Sequence, residues 1–431
     1  MRAQNLSCPL SDTQGATSSR TRCVHPALHF ESGFACLGVV DNRRAFAQVT
    51  SDRQYLTGTR LESAHDVYPK PLSYAGLAGR WDKGCLEQWL KGEAAPTLAE
   101  TLSAVHDIVD SHIEFRRLEE PLLVTCWILA TYFHPLFPAF PRLHAYGEKG
   151  SGKSKLLEVV SLTAFNGLLR LNPTPATLFR LIDPLRPTLC LDEVESLAAT
   201  DHKDLLAIIN AGYRSGARID RVEGQDFQLR SFEVYAPMAL AGISGLNPVT
   251  ADRCIGLVMD RGRNPQKINR PADPKNRDFA NVRDGCYRVA LSRFADVQRA
   301  QDSLGLPDWL NGRHRELYLP LLVVAALAEK EGCSGVTDAL LAIAAKECED
   351  RSGPSLELEA ILGSLIAHLG SFEEAKIRPM QLADRMERET GAWWSAERAG
   401  QALRRLGFVR VRDQDGSAYV ITRDRVTELG R

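Results

Sequence analysis

The feature that most constrains this chain is the run Gly147-Glu148-Lys149-Gly150-Ser151-Gly152-Lys153-Ser154. It has the P-loop pattern of a glycine, four residues and then Gly-Lys-Ser, and Lys155 follows directly. A short apolar run, Phe140 to Tyr146, precedes the loop, and apolar residues at helical spacing follow it from Leu156 to Ala164. The sequence therefore predicts a strand, a phosphate-binding loop and a helix, in that order.

Each part of this loop has an expected task in binding ATP. The backbone N–H groups from Gly147 to Lys155 can surround the phosphates, and the helix N-terminus adds partial positive charge. Lys153 is expected to reach the β- and γ-phosphates, and the Ser154 hydroxyl to hold Mg²⁺. The alternative is a surface loop of Gly, Lys and Ser that binds nothing.

A second motif, Pro187 to Glu193, weakens that alternative. Its short apolar run ends in two acids about 40 residues after the loop, which leaves room for one helical crossover and another strand. Asp192 is expected to be the Mg²⁺-side carboxylate of a Walker B motif. Glu193 is expected to be the general base that polarises the attacking water. The alternative is a core strand that ends in an acidic turn.

Composition limits the remaining classes. The net charge is −1, so any affinity for nucleic acid has to come from local patches. The ten cysteines form no Cys-x-x-Cys pair, which argues against a zinc finger or thioredoxin-type site and favours a reducing cytoplasm. The longest apolar runs, Leu122–Phe133 and Leu317–Ala328, are too short to cross a membrane. We therefore expect a cytoplasmic protein without a membrane partner.

Breaks in composition and periodicity predict six segments. A basic stretch, Arg261–Arg283, carries seven Lys or Arg residues and predicts either a solvated linker or a nucleic-acid contact. The predicted segments are a disordered leader (1–22), a β-rich N-terminal module (23–80), a helical region (81–139), a P-loop ATPase core (140–261), a helical lid (262–351) and a winged-helix-like domain (352–431).

Two basic elements are candidates for binding DNA. The pattern at 217–235 predicts a β-hairpin inserted before the next strand, and it carries Arg218 and Arg221. Near the C-terminus, Arg398 and Arg405 lie two turns apart on a predicted helix that precedes two wing-like strands. The alternatives are a hairpin that packs on a neighbouring subunit and a winged helix that docks onto a protein.

With these residues laid out, the chain resembles a bacterial and phage family of P-loop proteins, the helicase portion of phage and plasmid primase-helicases. The resemblance spans roughly Trp81 to Arg431. Beyond the P-loop, it rests on four stretches: Thr188–Glu193, Pro237–Ile243, Ala251–Ile255 and Arg313–Leu322.

The resemblance implies an α/β fold of the AAA+ or ASCE type, similar to superfamily 3 helicases, with a parallel sheet and a helical lid. It implies a homo-oligomeric ring with ATP between subunits, and a primase or another replication protein as a further partner. In such rings Arg253 would be the arginine finger that acts in trans, the alternative being a structural salt bridge. Arg313 or Arg315 would be sensor 2. Ser244 would be sensor 1, where such enzymes more often carry Asn.

These features predict an ATP-hydrolysing, Mg²⁺-dependent DNA motor, a helicase-like AAA+ ATPase of a phage, plasmid or other mobile element that acts in DNA replication. One alternative is an AAA+ remodeller or loader that acts on protein. Another is a DNA-bound regulator that binds ATP without translocating. DNA-stimulated hydrolysis with strand displacement would separate the motor from both.

Overall fold

The computed structural model describes residues 22–24, 36–40, 46–57, 67–69, 80–171, 173–194, 203–223, 227–243, 245–352, 356–391, 393–414 and 416–430. Residues 1–21 of the predicted leader, the hairpin turn 224–226 and Ser244 lie outside these ranges. The chain divides into two compact units, Met1–Ala344 and Ala345–Arg431. Over the described ranges, no helix is long and apolar enough to cross a membrane.

The N-terminal part of the first unit contains short strands. They are β1 (Arg22–Val24), β2 (Cys36–Val40), β3 (Phe46–Thr50), β4 (Tyr55–Thr57) and β5 (Val67–Pro69). β3 lies between β2 and β4 in an antiparallel sheet, and β1 pairs parallel with β5. Much of 23–80 lies outside the described residues, so the N-terminal module stays a prediction.

Three helices follow, and each begins at a recognisable signal. They are α1 (Lys83–Leu90), α2 (Leu98–His112) and α3 (Glu120–Thr131). Asp82 caps α1, and Thr97 with Glu100 forms a capping box at α2. α3 has proline in its first turn and is buried on almost every side, which is why its sequence is apolar all round. A short 3-10 helix, His134–Leu136, leads to the P-loop strand.

The central part of the chain alternates strands and helices. In chain order the elements are β6 (Arg142–Tyr146), α4 (Lys153–Thr163), β7 (Leu168–Leu171), α5 (Pro175–Leu185), β8 (Leu189–Asp192), α6 (Lys203–Ala211), β9 (Arg218–Glu223), β10 (Gln228–Glu233), β11 (Met238–Gly242), α7 (Pro248–Ala251) and β12 (Cys254–Val258). Within the described residues, five of these strands form one parallel sheet in the order β12-β6-β11-β8-β7. The predicted α/β fold with a parallel sheet is confirmed.

The sheet is covered on both faces, as a parallel sheet requires. Leu143 and Ala145 of β6 belong to a buried cluster that includes residues of α2, α3 and α4. Leu191 of β8 and Leu240 of β11 belong to a second cluster, with residues of α5 and α6. The alternation of side chains between the two clusters follows from the two-residue period of a strand.

Four helices follow the sheet in the described part of the chain, and the last of them crosses the boundary between the two units at Ala344. They are α8 (Pro265–Asn269), α9 (Arg277–Ser303), α10 (Gly312–Lys330) and α11 (Val336–Ser352). α9 supplies one of three side chains that hold the C-terminal end of α4. Arg283 donates to the carbonyl of residue 162 at 2.7 Å, and Tyr132 to that of residue 163 at 2.7 Å. Arg80 donates to the carbonyls of residues 161 and 164, at 3.0 and 2.8 Å. The carbonyls that a helix end leaves unpaired are thus satisfied.

The second unit is a small α+β arrangement. Its elements are α12 (Leu356–Leu369), β13 (Glu374–Ile377), α13 (Pro379–Thr390), α14 (Ala396–Arg405), β14 (Val409–Asp413), β15 (Gly416–Thr422) and α15 (Arg423–Leu429). β15 lies between β13 and β14 in an antiparallel sheet. Ser395 caps α14, as its position in the sequence predicts, by accepting from the N–H of Arg398 at 3.1 Å. Ala399 and Leu403 turn the apolar face of α14 inward.

Candidate nucleotide site and basic surfaces

The loop between β6 and α4 has a backbone that requires glycine. A Cβ on Gly147 would lie 2.2 Å from the carbonyl oxygen of Met259, which follows the neighbouring strand β12. Gly150 and Gly152 have φ angles of 80° and 87°, in the left-handed region that other residues avoid. The motif glycines are therefore explained by close approach at the first position and by conformation at the other two.

The loop presents positive charge to its own concave side. Gly152 is the N-cap residue of α4, so the N–H groups of the first helical turn have no partner within the helix. The ammonium of Lys153 is buried and donates to the carbonyls of Gly147 at 2.9 Å and Glu148 at 2.8 Å. Ser154 is exposed beside it. These groups fit the phosphates of a nucleotide: the cation and the N–H groups already face one concavity.

A cavity of about 550 Å³ adjoins the loop. One wall is the P-loop and the side of α4, with Glu158, and the other is Ile268–Ala272, in and after α8. Lys155 ties the two walls together, because its ammonium donates to the carbonyls of Lys267 and, at 3.1 Å, Ile268. Burial lowers the pKa of Lys155. Sequence reasoning missed the second wall. The signal was the basic Arg261–Arg283 run, which directly follows a strand adjacent to the P-loop strand.

The two acids of the second motif end β8. Asp192 is the last residue of the strand, and its carboxylate accepts from the N–H of Glu193 at 2.9 Å. Glu193 is exposed and has a φ of 57°, a left-handed conformation for a residue other than glycine. That conformation costs roughly 1–2 kcal/mol. Strain of this kind is concentrated at functional sites, where the surrounding structure maintains it.

Register places the acids beside the P-loop. Leu240 of β11 pairs with both His144 and Leu191, so Asp192 is level with Ala145, two residues before Gly147. Only β11 separates the two strands, which puts them roughly 10 Å apart. Ser154, in the first turn of α4, and Asp192, at the end of β8, are the two oxygen ligands predicted for a phosphate-bound Mg²⁺. Mg²⁺ takes few protein oxygens and completes its shell with phosphate and water.

Arg253 and Arg313 lie at the end of the sheet where the parallel strands begin, opposite the end that carries the P-loop. Arg253 directly precedes β12, and its carbonyl accepts from the N–H of Arg142, the first residue of β6. Its guanidinium donates to the carbonyl of Val249. Arg313, in the first turn of α10, donates to Asp252 at 2.8 Å and to Glu316. The structure thus brings these arginines together and separates both from the P-loop of their own chain. The sensor assignment of Arg313 stays a prediction.

The predicted hairpin is formed by β9 and β10, with Arg221 opposite Arg230. Arg221 lies on the face that packs on α5, with its guanidinium 5.6 Å from the ring centre of Phe179. Arg218 is three residues away and so projects from the other face, where its Nε donates to Ser231 at 3.1 Å. The two arginines predicted to bind DNA therefore cannot contact the same surface.

The face that carries Arg218 is open farther along the hairpin, although Glu233, opposite Arg218, is bonded to Arg186 and largely buried. Val222 and Leu229 pair across the hairpin on that face and are 58% and 71% exposed. Phe227, which directly precedes the second strand, is 81% exposed. In the second unit, Arg398 and Arg405 are exposed on α14, and Arg398 lies 4.1 Å from the ring centre of Trp394.

Comparison with known proteins adds little to this picture. The structure is similar to one described as SCCmec type IV Cch, an active helicase, with a TM-score of 0.46 and 13% identity, over 92% of this chain and 78% of that one. It is also similar to an apo structure of the NrS-1 C-terminal region, with a TM-score of 0.37 and 8% identity, over 91% of this chain and 97% of that one. No family model matches the chain, and no curated protein matches it in sequence. Both TM-scores are low, so the residues of the site have to support any function, and the family resemblance stays a prediction.

Proposed function

We propose that this protein is a Mg²⁺-dependent ATPase that acts on DNA as a helicase-like motor of a phage, plasmid or other mobile element. The observation that carries the proposal is the arrangement at the end of the sheet where the parallel strands finish. There the P-loop with Lys153 and the strained acidic pair Asp192-Glu193 flank a single intervening strand. A phosphate cradle and a carboxylate base at that spacing are what hydrolysis of a bound nucleotide requires.

The chemistry follows from the roles of the side chains. The loop N–H groups and the Lys153 ammonium would hold the β- and γ-phosphates, because the loop carbonyls that Lys153 now contacts are weaker partners than phosphate oxygens. Ser154 and Asp192 would hold Mg²⁺, which neutralises charge on the transferred phosphoryl group. Glu193 would accept a proton from the attacking water. Its exposed side chain leaves room for that water.

The second wall of the cavity is the proposed site of the nucleotide base. Ile268, Pro271 and Ala272 give an apolar surface next to a polar loop, and Ile268 is half exposed. An aromatic base needs such a surface, while the phosphates need the loop. Ile268→Asp should weaken nucleotide binding measured by fluorescence titration. Unchanged affinity would place the base elsewhere.

The position of Arg253 supports assembly into a ring. Arg253 precedes β12, at the opposite end of the strands from its own P-loop. It can therefore reach a γ-phosphate only in a neighbouring subunit. A head-to-tail interface of this kind forms a ring when its rotation closes, and an open filament when it does not. The proposed role is stabilisation of charge in the transition state across that interface.

The hairpin and α14 are the proposed DNA contacts. Arg218 lies on the open hairpin face with exposed apolar side chains, a combination that suits a nucleic-acid strand. In the second unit, helices α12–α14 with the sheet β13-β15-β14 suit a winged helix, with α14 as the recognition helix. A primase or other replication protein is a further proposed partner.

Arg221 provides a matched control for the hairpin, because it lies on the packed face. Arg218→Ala should reduce DNA stimulation of hydrolysis and unwinding, while basal hydrolysis persists. Arg221→Ala should reduce DNA stimulation and unwinding much less. Equal effects from both variants would indicate that the hairpin acts through packing and does not touch DNA.

The decisive experiment compares ATP hydrolysis without DNA, with single-stranded DNA and with duplex DNA, alongside displacement of a labelled strand. The proposed motor requires both stimulation and displacement. Stimulation by a protein partner alone would favour a remodeller or loader. Binding of ATP and DNA without turnover would favour a regulator.

A further inference from the structure

Five side chains meet at the first turn of α10, and we refer to them as the α10 cluster: Tyr213, Arg214, Asp252, Arg313 and Glu316. Two of its members come from the segment that leads into the hairpin, four and five residues before β9 begins. A third, Asp252, directly precedes Arg253. The cluster therefore connects the turn that carries the proposed arginine finger with the segment that leads into the hairpin, which we call the hairpin root.

Glu316 is the centre of the α10 cluster. One of its oxygens accepts from the Tyr213 hydroxyl at 3.2 Å and from Arg313, and the other accepts from Arg214. Burial raises the pKa of Tyr213 to about 12, so its hydroxyl stays a donor at neutral pH. The side chains of Glu316 and Arg313 are 28% and 25% exposed, so their charge-assisted hydrogen bond is partly shielded from solvent, whereas Arg214 is 60% exposed.

Arg313 extends the cluster toward the finger. Its Nε donates to Asp252 at 2.8 Å, while Nη1 of the same rigid, planar group binds Glu316. The guanidinium also lies 4.8 Å from the ring centre of Tyr213. One planar group therefore bonds both carboxylates and gives a shift of Asp252 a direct route to Glu316.

We infer that Arg313 and Glu316 are positioning residues that couple Arg253 to the hairpin. When Arg253 moves onto the γ-phosphate of a neighbouring subunit, Asp252 moves with it, and the α10 cluster passes the shift to Tyr213 and Arg214. The hairpin root then changes position according to the nucleotide of the neighbour. This inference rests on the proposed function, because it needs both a finger acting in trans and a hairpin that contacts DNA.

The substitution Glu316→Gln tests the coupling. It keeps the shape of the side chain and removes the charge that holds three donors. We expect basal ATP hydrolysis and assembly to stay unchanged, and the stimulation by single-stranded DNA to fall by about fivefold or more, the usual size of an allosteric coupling. Coupling between binding sites is reciprocal. The ratio of DNA affinities with a non-hydrolysable ATP analogue and with ADP should therefore fall toward one.

Asp296→Asn is the matched control. Asp296 also joins two arginines, Arg293 and Arg299, but it does so on α9, away from the finger turn and the hairpin root. We expect its DNA stimulation and its affinity ratio to equal those of the wild type. A loss equal to that of Glu316→Gln would overturn the inference.

The remaining outcomes separate the inference from the function on which it rests. Full DNA stimulation in Glu316→Gln would overturn the inference alone. Parallel loss of basal hydrolysis and thermal stability would also overturn it, since the α10 cluster would then be a structural brace. If DNA fails to stimulate even the wild-type protein, the proposed motor function falls, and the inference falls with it.

Discussion

Complementation between two inactive variants is the most direct test of how Arg253 acts. The main-chain hydrogen bond from the N–H of Arg142 to the carbonyl of Arg253 lies at the start of β6. The P-loop begins just past the other end of that strand, at Gly147. Five residues of strand separate these ends, or roughly 16 Å, which is more than an arginine side chain can span. Within one subunit, Arg253 would therefore be out of reach of a nucleotide bound at Lys153.

The magnitude follows from this geometry. An arginine finger contributes a factor of ~10³ or more in turnover, or at least about 4 kcal/mol of transition-state stabilisation. Lys153→Ala and Arg253→Ala should each be inactive alone. In an equimolar mixture, a working site needs a subunit with Lys153 followed by one with Arg253. Random assembly through a head-to-tail interface produces that pair at about one quarter of the interfaces.

The assay is steady-state ATP hydrolysis after the two variants are dissociated, mixed and reassembled. The expected result is about a quarter of the wild-type rate, from two proteins that are each inactive. The control mixes Arg253→Ala with the double variant that lacks both residues, and it should recover nothing. Absence of recovery in the first mixture, with normal assembly, would refute the action in trans.

Three further predictions concern the residues proposed to bind and hydrolyse ATP, the first glycine of the P-loop, and the basic helix of the second unit. Lys153→Ala should abolish ATP binding, whereas Glu193→Gln should retain binding and lose turnover; equal loss of binding in both would make Glu193 structural. Gly147→Ala should weaken ATP binding and lower the free energy of unfolding by about 1–3 kcal/mol, because its Cβ would lie 2.2 Å from a carbonyl oxygen; unchanged thermal stability would contradict that clash. Arg398→Ala with Arg405→Ala should weaken binding to duplex DNA and flatten its salt dependence by about two phosphate contacts, with basal hydrolysis intact; an unchanged salt slope would favour protein docking.

Local patterns predicted much of the fold. The P-loop strand, the strand ending in Asp192 and the hairpin at 217–235 all lie within two or three residues of their predicted bounds, because each is a short apolar or alternating run next to glycine or charge. β13 and α15 were missed. β13 is a four-residue strand whose pairing partner, β15, is distant in the sequence, so nothing local marks it.

The candidate site was predictable only in part. A motif states which residues follow one another, and so it identified Lys153, Asp192 and Glu193. It could not state where Arg253 would lie relative to the P-loop, because the order of strands is a property of the assembled sheet. The opposite orientation of Arg218 and Arg221 follows from counting residues along a strand, and it becomes informative only when the packing of Arg221 on Phe179 is known.

The three side chains that hold the far end of α4 give the molecule a fixed frame of reference. Arg80, Arg283 and Tyr132 restrain the four carbonyls there, so loss of a phosphate at the other end cannot simply displace the helix along its axis. In the proposed motor, nucleotide turnover would therefore move the segments around that helix. If the hairpin moves as proposed, a distance probe with one label on α4 and one on the hairpin would report that movement against a restrained reference.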